Sequence, residues 1–189
     1  TIKNEYSFPK RIALFPGVSC MFYCGFCGRN QKAKYPLDII GDSLEMYKKL
    51  FDESPDYTSY SISGGLEPLT NPKLGELVDH AKSRNIKLPI ITNGYSLTEG
   101  FLKKNPGIWS ADSLRISLYG IDEDSYEFIT RVRKGFKQVY NNSISFLKKR
   151  NENNKNLKFG FNFIVIPENL HQLTKIPELI KNINLQVKN

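Results

Sequence analysis

Cys20-Met21-Phe22-Tyr23-Cys24-Gly25-Phe26-Cys27 holds all three cysteines of a 189-residue chain within eight positions. Thiols clustered so tightly seldom arise for packing alone. Three thiolates on one loop can meet at a metal centre, yet they leave a tetrahedral shell incomplete, and a disulfide would leave one thiol over. Two metal readings stay open on these residues. In one, the thiolates hold a cube of four irons whose fourth iron is left to a small molecule and is therefore a reaction site. In the other, zinc takes His80 or His171 as its fourth ligand, although structural zinc motifs usually pair two separated knuckles.

The flanking sequence places this loop. Arg11-Ile-Ala-Leu-Phe15 reads as a short buried strand closed by Pro16-Gly17. The cysteines therefore follow the C-terminal end of the first strand, where strand–helix barrels carry their chemistry. A basic segment, Gly28-Arg29-Asn30-Gln31-Lys32, leads to a helix expected from about Asp42 to Phe51, capped by Asp42 or Ser43. A second strand, about Tyr57 to Ile62, runs into Ser63-Gly64-Gly65-Leu66-Glu67-Pro68. Paired glycines at a strand end let the backbone approach a ligand, since no Cβ intervenes.

Asn71-Pro72 opens a helix whose Leu74, Leu77, Val78 and Ala81 share one face. A third strand ends in Thr92-Asn93-Gly94, and a fourth, Ser113 to Leu118, carries Ser117 near its end. Asp122 caps a helix, and Thr130-Arg131-Val-Arg133-Lys134 precedes a longer amphipathic one. The fifth strand, Leu157 to Ile166, alternates, with Phe159, Phe161, Phe163 and Val165 on one side and Gly160, Asn162 and Ile164 on the other. A helical stretch near Leu170 to Asn182, broken by Pro177, leads to a sixth strand, Ile183 to Val187. Alternating strands and helices argue for a parallel sheet with helices outside it.

The x3, x2 cysteine spacing with Phe26 before the last cysteine resembles the signature of the radical S-adenosylmethionine (radical SAM) superfamily. Gly64-Gly65-Leu66-Glu67-Pro68 is similar to that family's Gly-Gly-Glu-Pro motif, with Leu66 as an insertion that leaves the contacting atoms open. The resemblance covers nearly the whole chain. It implies an α/β fold, a partial (β/α)6 TIM-like barrel with a parallel sheet and outer helices. It also implies a 4Fe-4S cluster on Cys20, Cys24 and Cys27, with S-adenosylmethionine bound by Gly64, Gly65, Glu67, Asn93, Ser117 and an arginine, Arg133 in preference to Arg131. Alternation adds Asn162, which with the bare Gly160 falls on the inward side of the fifth strand and is a candidate contact for adenine or ribose. In such enzymes the cluster passes one electron to the sulfonium, and a 5'-deoxyadenosyl radical then takes hydrogen from the substrate.

Short segments, Ser61 to Pro72 and Ser117 to Gly120, look most like the sugar-modifying branch that includes the aminodeoxysugar ammonia-lyase. That likeness implies a small-molecule substrate such as a nucleotide-sugar, with Arg29 and Lys32 receiving its diphosphate or carboxylate, and an electron donor such as flavodoxin or ferredoxin. A peptide- or protein-modifying radical SAM enzyme or activase is the enzyme alternative. A zinc- or iron-binding interaction module is the non-enzyme one.

Composition fits one domain over residues 1–189, with 12 Phe and 10 Tyr available for a core. By the same resemblance such a core is usually flanked by substrate-reading segments, none of which is visible after Asn189, and Thr1 in place of Met suggests a processed or truncated chain. No apolar run approaches the length of about 18 residues expected of a membrane span. The absence of a secretory signal and the clustered thiols point to a reducing cytoplasm. The net charge of +8 draws anionic partners, but most of its lysines fall on outer helix faces, and no aromatic and basic ladder supports nucleic acid.

Overall fold

A computed structural model describes residues 7–28 and 34–188. Five strands, β1 (Arg11–Leu14), β2 (Ser59–Ile62), β3 (Pro89–Thr92), β4 (Ser113–Leu118) and β5 (Lys158–Phe163), form one sheet in the order β1-β2-β3-β4-β5. Every neighbouring pair is parallel. Each crossover contains helix, and right-handed crossovers between sequential neighbours stack the helices on one side. These are α1 (Ile39–Glu53), α2 (Leu74–Ser83), α3 (Glu99–Lys104), α4 (Glu123–Thr130), α5 (Gly135–Asn153) and α6 (Ile176–Lys188).

The core lies between sheet and helices. Leu14, Ile62, Ile90, Leu114 and Ile116 from alternate strand positions meet Leu44 and Phe51 of α1, Leu74, Leu77 and Val78 of α2, and Val139 and Phe146 of α5. Each such aliphatic side chain contributes about 1.5–3 kcal/mol by leaving water. The other strand positions face away from the helices. On that side Arg11, Ala13, Ser59 and Arg115 are exposed, as on the inner wall of a barrel that is only partly closed.

Two expectations change. The first helix starts at Ile39 rather than Asp42, and Ser43 does not cap it, because its hydroxyl donates back to the Ile39 carbonyl inside the helix. The sixth strand is helical, so the described residues hold five strands rather than six. Ile183 to Val187 alternates, but Ile176, Leu179, Ile180, Ile183 and Val187 also recur at helical spacing. The helix buries Ile183 and leaves Leu185 51% exposed. Pro177 sits in the first turn of α6, where a missing N–H costs nothing, so it does not interrupt the helix. Among the described residues no helix is long and apolar enough to cross a membrane.

Candidate active site

The cysteine loop is fastened to the β2 exit through the loop's own backbone groups. Asn71 Nδ2 donates to the Pro16 carbonyl at 3.0 Å. Thr70 Oγ1 accepts from Val18 N at 3.0 Å and Ser19 N at 3.2 Å, and Glu67 N donates to Ser19 O at 2.9 Å. The two segments approach so closely at Gly17 that a Cβ there would lie 2.6 Å from Glu67 O. On its far side the loop is held by α4, where Tyr23 N donates to Thr130 O at 2.9 Å.

Glu67 is the centre of the second fastening. Its side chain is buried and accepts from Leu69 N at 3.0 Å, Asn93 N at 2.8 Å and Thr92 Oγ1, which ties the β2 loop to the end of β3. Burial pushes its carboxyl above the usual range, and these three hydrogen bonds oppose the shift. Just before it, Gly64 and Gly65 have φ of 81° and 61°, a left-handed backbone that glycine adopts without cost. Both are exposed and pack against the Phe15 ring. Asn93 Oδ1 accepts from Tyr95 N at 3.0 Å, and its Nδ2 reaches Met21 Sδ at 3.2 Å and Cys20 Sγ at 3.7 Å.

These fastenings shape a cavity of about 200 Å³ lined by Cys20, Cys24 and Cys27, by Gly64, Gly65 and Glu67, and by Thr92, Asn93, Ser117 and Tyr119. Cys24 is buried, while Cys20 and Cys27 are half-buried. Aromatic rings wall this cavity. Phe26 lies 5.6 Å from Tyr119, and Phe22 makes edge contacts with Tyr95, Tyr119 and Tyr126 at 5.6 to 5.9 Å. Burial, followed by the charges of Cys24 and Glu67, pushes the Tyr119 hydroxyl far above its ordinary value, against a hydrogen bond with Ser117. Tyr119 therefore stays a neutral hydroxyl.

Eight of the ten residues singled out from the sequence thus line one cavity. Asn162 does not; it lies beside Ser117 in the β4–β5 register and accepts from Arg115 Nη1 at 3.5 Å. Arg133 is also outside, its side chain 87% exposed with Nε 4.0 Å from Glu127. Arg131 stacks over Phe128 at 4.9 Å and shares a neighbouring cavity with Gly25 and Phe26 of the cysteine loop. His80 is engaged with Asp52 at 2.9 Å and stacks near Phe51, and His171 is exposed, so neither lines the thiol cavity. Arg29 and Lys32 lie outside the described residues.

Sequence reasoning missed three positions. Thr70 and Tyr119 stood next to recognised motifs. Asn142 of α5, whose Nδ2 donates to Gly94 O and Tyr95 O at 2.9 and 2.8 Å, gave no sequence signal, because nothing local relates it to the β3 exit.

The donor set discriminates between metals. Among the described residues no three His, Cys, Asp or Glu side chains converge on one point as a single ion requires. Three thiols spread around one cavity instead suit a multi-iron cluster, in which each thiolate takes its own iron. The residues fit that group.

A parallel strand–helix half-barrel with three thiols at the C-terminal end of its first strand defines a metal-dependent enzyme core. Residues 14–180 match the Radical SAM superfamily, and the chain belongs to it, a family that uses a 4Fe-4S cluster and S-adenosylmethionine. It is 36% identical over 179 residues, 94% of the chain, to dTDP-4-amino-4,6-dideoxy-D-glucose ammonia-lyase of Streptomyces venezuelae, covering 37% of that protein. It is 27% identical over 153 residues, 73% of the chain, to an S-adenosylmethionine-dependent nucleotide dehydratase of Lacinutrix mariniflava, covering 30% of it. The chain therefore spans about a third of these curated relatives. In fold it is similar to Streptococcus suis SuiB bound to precursor peptide SuiA, with a TM-score of 0.68 at 20% identity over 94% of this chain and 38% of that one.

Proposed function

We propose that this chain is the radical-generating core of an enzyme that abstracts hydrogen from a nucleotide-sugar. The observation that carries the radical SAM part is the meeting of Cys20, Cys24 and Cys27 with Gly64, Gly65, Asn93 and Ser117 around one cavity. The sugar-nucleotide part is supported by the 36% identity to an ammonia-lyase named for a dTDP-sugar. When bound, a 4Fe-4S cluster with S-adenosylmethionine supplies one-electron reduction of the sulfonium and a 5'-deoxyadenosyl radical.

The protein's part is to hold, orient and shield. Cys20, Cys24 and Cys27 give three thiolates. Gly64 and Gly65 present backbone groups with no Cβ in the way, and Asn93 and Ser117 offer an amide and a hydroxyl to the methionine and ribose of the cofactor. Glu67 acts from behind, fixing Asn93 and the glycine turn through its carboxylate. Phe22, Phe26 and Tyr119 keep water from the cavity, and the neutral Tyr119 adds no charge there. Reduction calls for a donor such as flavodoxin or ferredoxin, and that need, together with three free clustered thiols, supports a cytoplasmic enzyme. The likeness to SuiB speaks for the fold alone, so peptide modification has no comparable support.

The test is anaerobic. The chain is reconstituted with iron and sulfide, reduced with dithionite, and its electron paramagnetic resonance (EPR) spectrum recorded with and without S-adenosylmethionine. A reduced four-iron signal that changes with S-adenosylmethionine and is absent in Cys24→Ala is expected. Zinc as the bound metal, or a cluster indifferent to S-adenosylmethionine, overturns the proposal and favours an interaction module.

A further inference from the structure

The sheet face below the cysteine cavity has chemistry of its own. Ile91 and Ser117 line that cavity. Arg115 pairs in register with Ile91 and with Gly160, two residues before Ser117 on the same face of β4. Two residues along a strand span about 7 Å, so Arg115 stands one pleat below the cavity. It is exposed, and a Cβ at its neighbour Gly160 would meet nothing within 4 Å. The space in front of the guanidinium is open.

The ion pairs of the described residues involve Lys48, Lys49, His80, Arg84, Arg133 and Lys149, so among them Arg115 meets no carboxylate. The strand positions sharing its face carry Arg11, Arg115 and Lys158 and no acid. Lys158 lies next to Ser113 at the lower end of the same strand pair. Asn162 Oδ1 accepts one of the five donors of Arg115 at 3.5 Å. That contact sets the planar fork against Asn162, and among the described residues the remaining donors of this exposed side chain make no hydrogen bond. An oriented guanidinium on a face without acids suits two oxygens of a phosphoryl group, which it grips bidentately.

We propose that Arg115, oriented by Asn162, is the anchor for the substrate's diphosphate, held on the inner sheet face one pleat below the site of radical chemistry. The assignment deepens the nucleotide-sugar reading and rests on it. It puts the sugar between the anchor and the cysteine cavity, and it makes Asn162 a substrate-positioning residue instead of a cofactor contact.

The test uses the full-length, cluster-loaded protein with three probes, thymidine diphosphate, inorganic pyrophosphate and uncharged thymidine, titrated by calorimetry. The EPR change caused by S-adenosylmethionine is followed in parallel. Thymidine diphosphate and pyrophosphate are expected to bind and thymidine not to. Arg115→Ala should weaken both anions about ten-fold or more, the loss of one or two charge-assisted hydrogen bonds. Arg115→Lys should recover part of this, since it keeps charge and loses the fork. Asn162→Asp keeps Arg115 but sets a carboxylate beside it, and should also weaken both anions. The S-adenosylmethionine response should persist in all three variants. Unchanged anion affinity in Arg115→Ala and Asn162→Asp, or no anion binding by the wild type, overturns the anchor. So does loss of the cofactor response in Arg115→Ala, which would assign the arginine to S-adenosylmethionine. Failure of the nucleotide-sugar reading alone shows differently, as pyrophosphate binding through Arg115 without any preference for thymidine diphosphate.

Discussion

The turn at the β2 exit and the sheet face of β4 and β5 are built from similar residues and use them in opposite ways. At the β2 exit the polar groups are turned inward. Glu67, 4% exposed, takes three donors, Thr70 Oγ1 takes two backbone N–H groups of the cysteine loop, and Asn71 holds Pro16. On the β4–β5 face the exposed Arg115 and the half-buried Asn162 share one long contact, and among the described residues neither side chain makes another hydrogen bond. A polar residue at a strand end is thus not a ligand contact by type alone. Glu67 stands in the motif where a cofactor contact is expected, yet both its oxygens are committed to the protein.

Glycine substitutions give the largest test of this contrast. Gly17→Ala would set a Cβ 2.6 Å from Glu67 O and 2.7 Å from Leu66 C, backbone against backbone. The two loops would have to separate, at a cost of about 3 kcal/mol or more, and iron incorporation should fall with it. Gly160→Ala meets nothing within 4 Å and should stay within about 0.5 kcal/mol of wild type. Urea denaturation of the two variants measures the difference. Equal effects would mean that the two regions are not packed as differently as described.

Glu67 gives an intermediate effect. In Glu67→Ala the Leu69 N–H, the Asn93 N–H and the Thr92 hydroxyl lose their acceptor inside the protein, which should cost about 3 kcal/mol. Glu67→Gln keeps the shape, should cost less, and exposes a pH effect. The folded carboxyl titrates above its ordinary value of 4.5, so between that value and the raised one folding takes up a proton. Stability from this group is present below pH 4.5 and declines as pH rises through the folded value. Denaturation midpoints measured across that window should fall more steeply for wild type than for Glu67→Gln. Parallel slopes would remove Glu67 from the account.

Much of this was legible in the sequence, for reasons that separate local from distant information. The cysteine spacing, the glycine pair and the strand-helix alternation are local patterns, and they placed the thiols, Gly64, Gly65, Asn93 and Ser117 at one end of a parallel sheet. Ile183 to Val187 was misread because Ile-Asn-Leu-Gln-Val satisfies both a period of two and part of a helical period, and packing against α5 selects between them. Asn142 was invisible because its partners at Gly94 and Tyr95 lie 48 and 47 residues away. The inner-face placement of Asn162 was read from alternation, but its partner Arg115 needed the β4–β5 register.

The two arginines after α4 give the smallest effect and the finest discrimination. Both follow Thr130, whose carbonyl accepts from Tyr23 N of the cysteine loop, so sequence position alone cannot separate them. Their geometry can. Arg131 has φ of 62°, which turns the chain and lays its guanidinium over Phe128, beside Gly25 and Phe26. Arg133 points to solvent next to Glu127 at 4.0 Å, an exposed contact of little energetic weight. Arg133→Ala should therefore change neither stability beyond about 0.5 kcal/mol nor the EPR response to S-adenosylmethionine. Arg131→Ala removes a cation from the wall of the cysteine loop and should raise the S-adenosylmethionine concentration needed for half of that response several-fold. If instead Arg133→Ala shifts this concentration and Arg131→Ala does not, the segment must swing inward when the cofactor binds. The division between committed and open polar groups would then hold for the β2 exit but not for the α4–α5 turn.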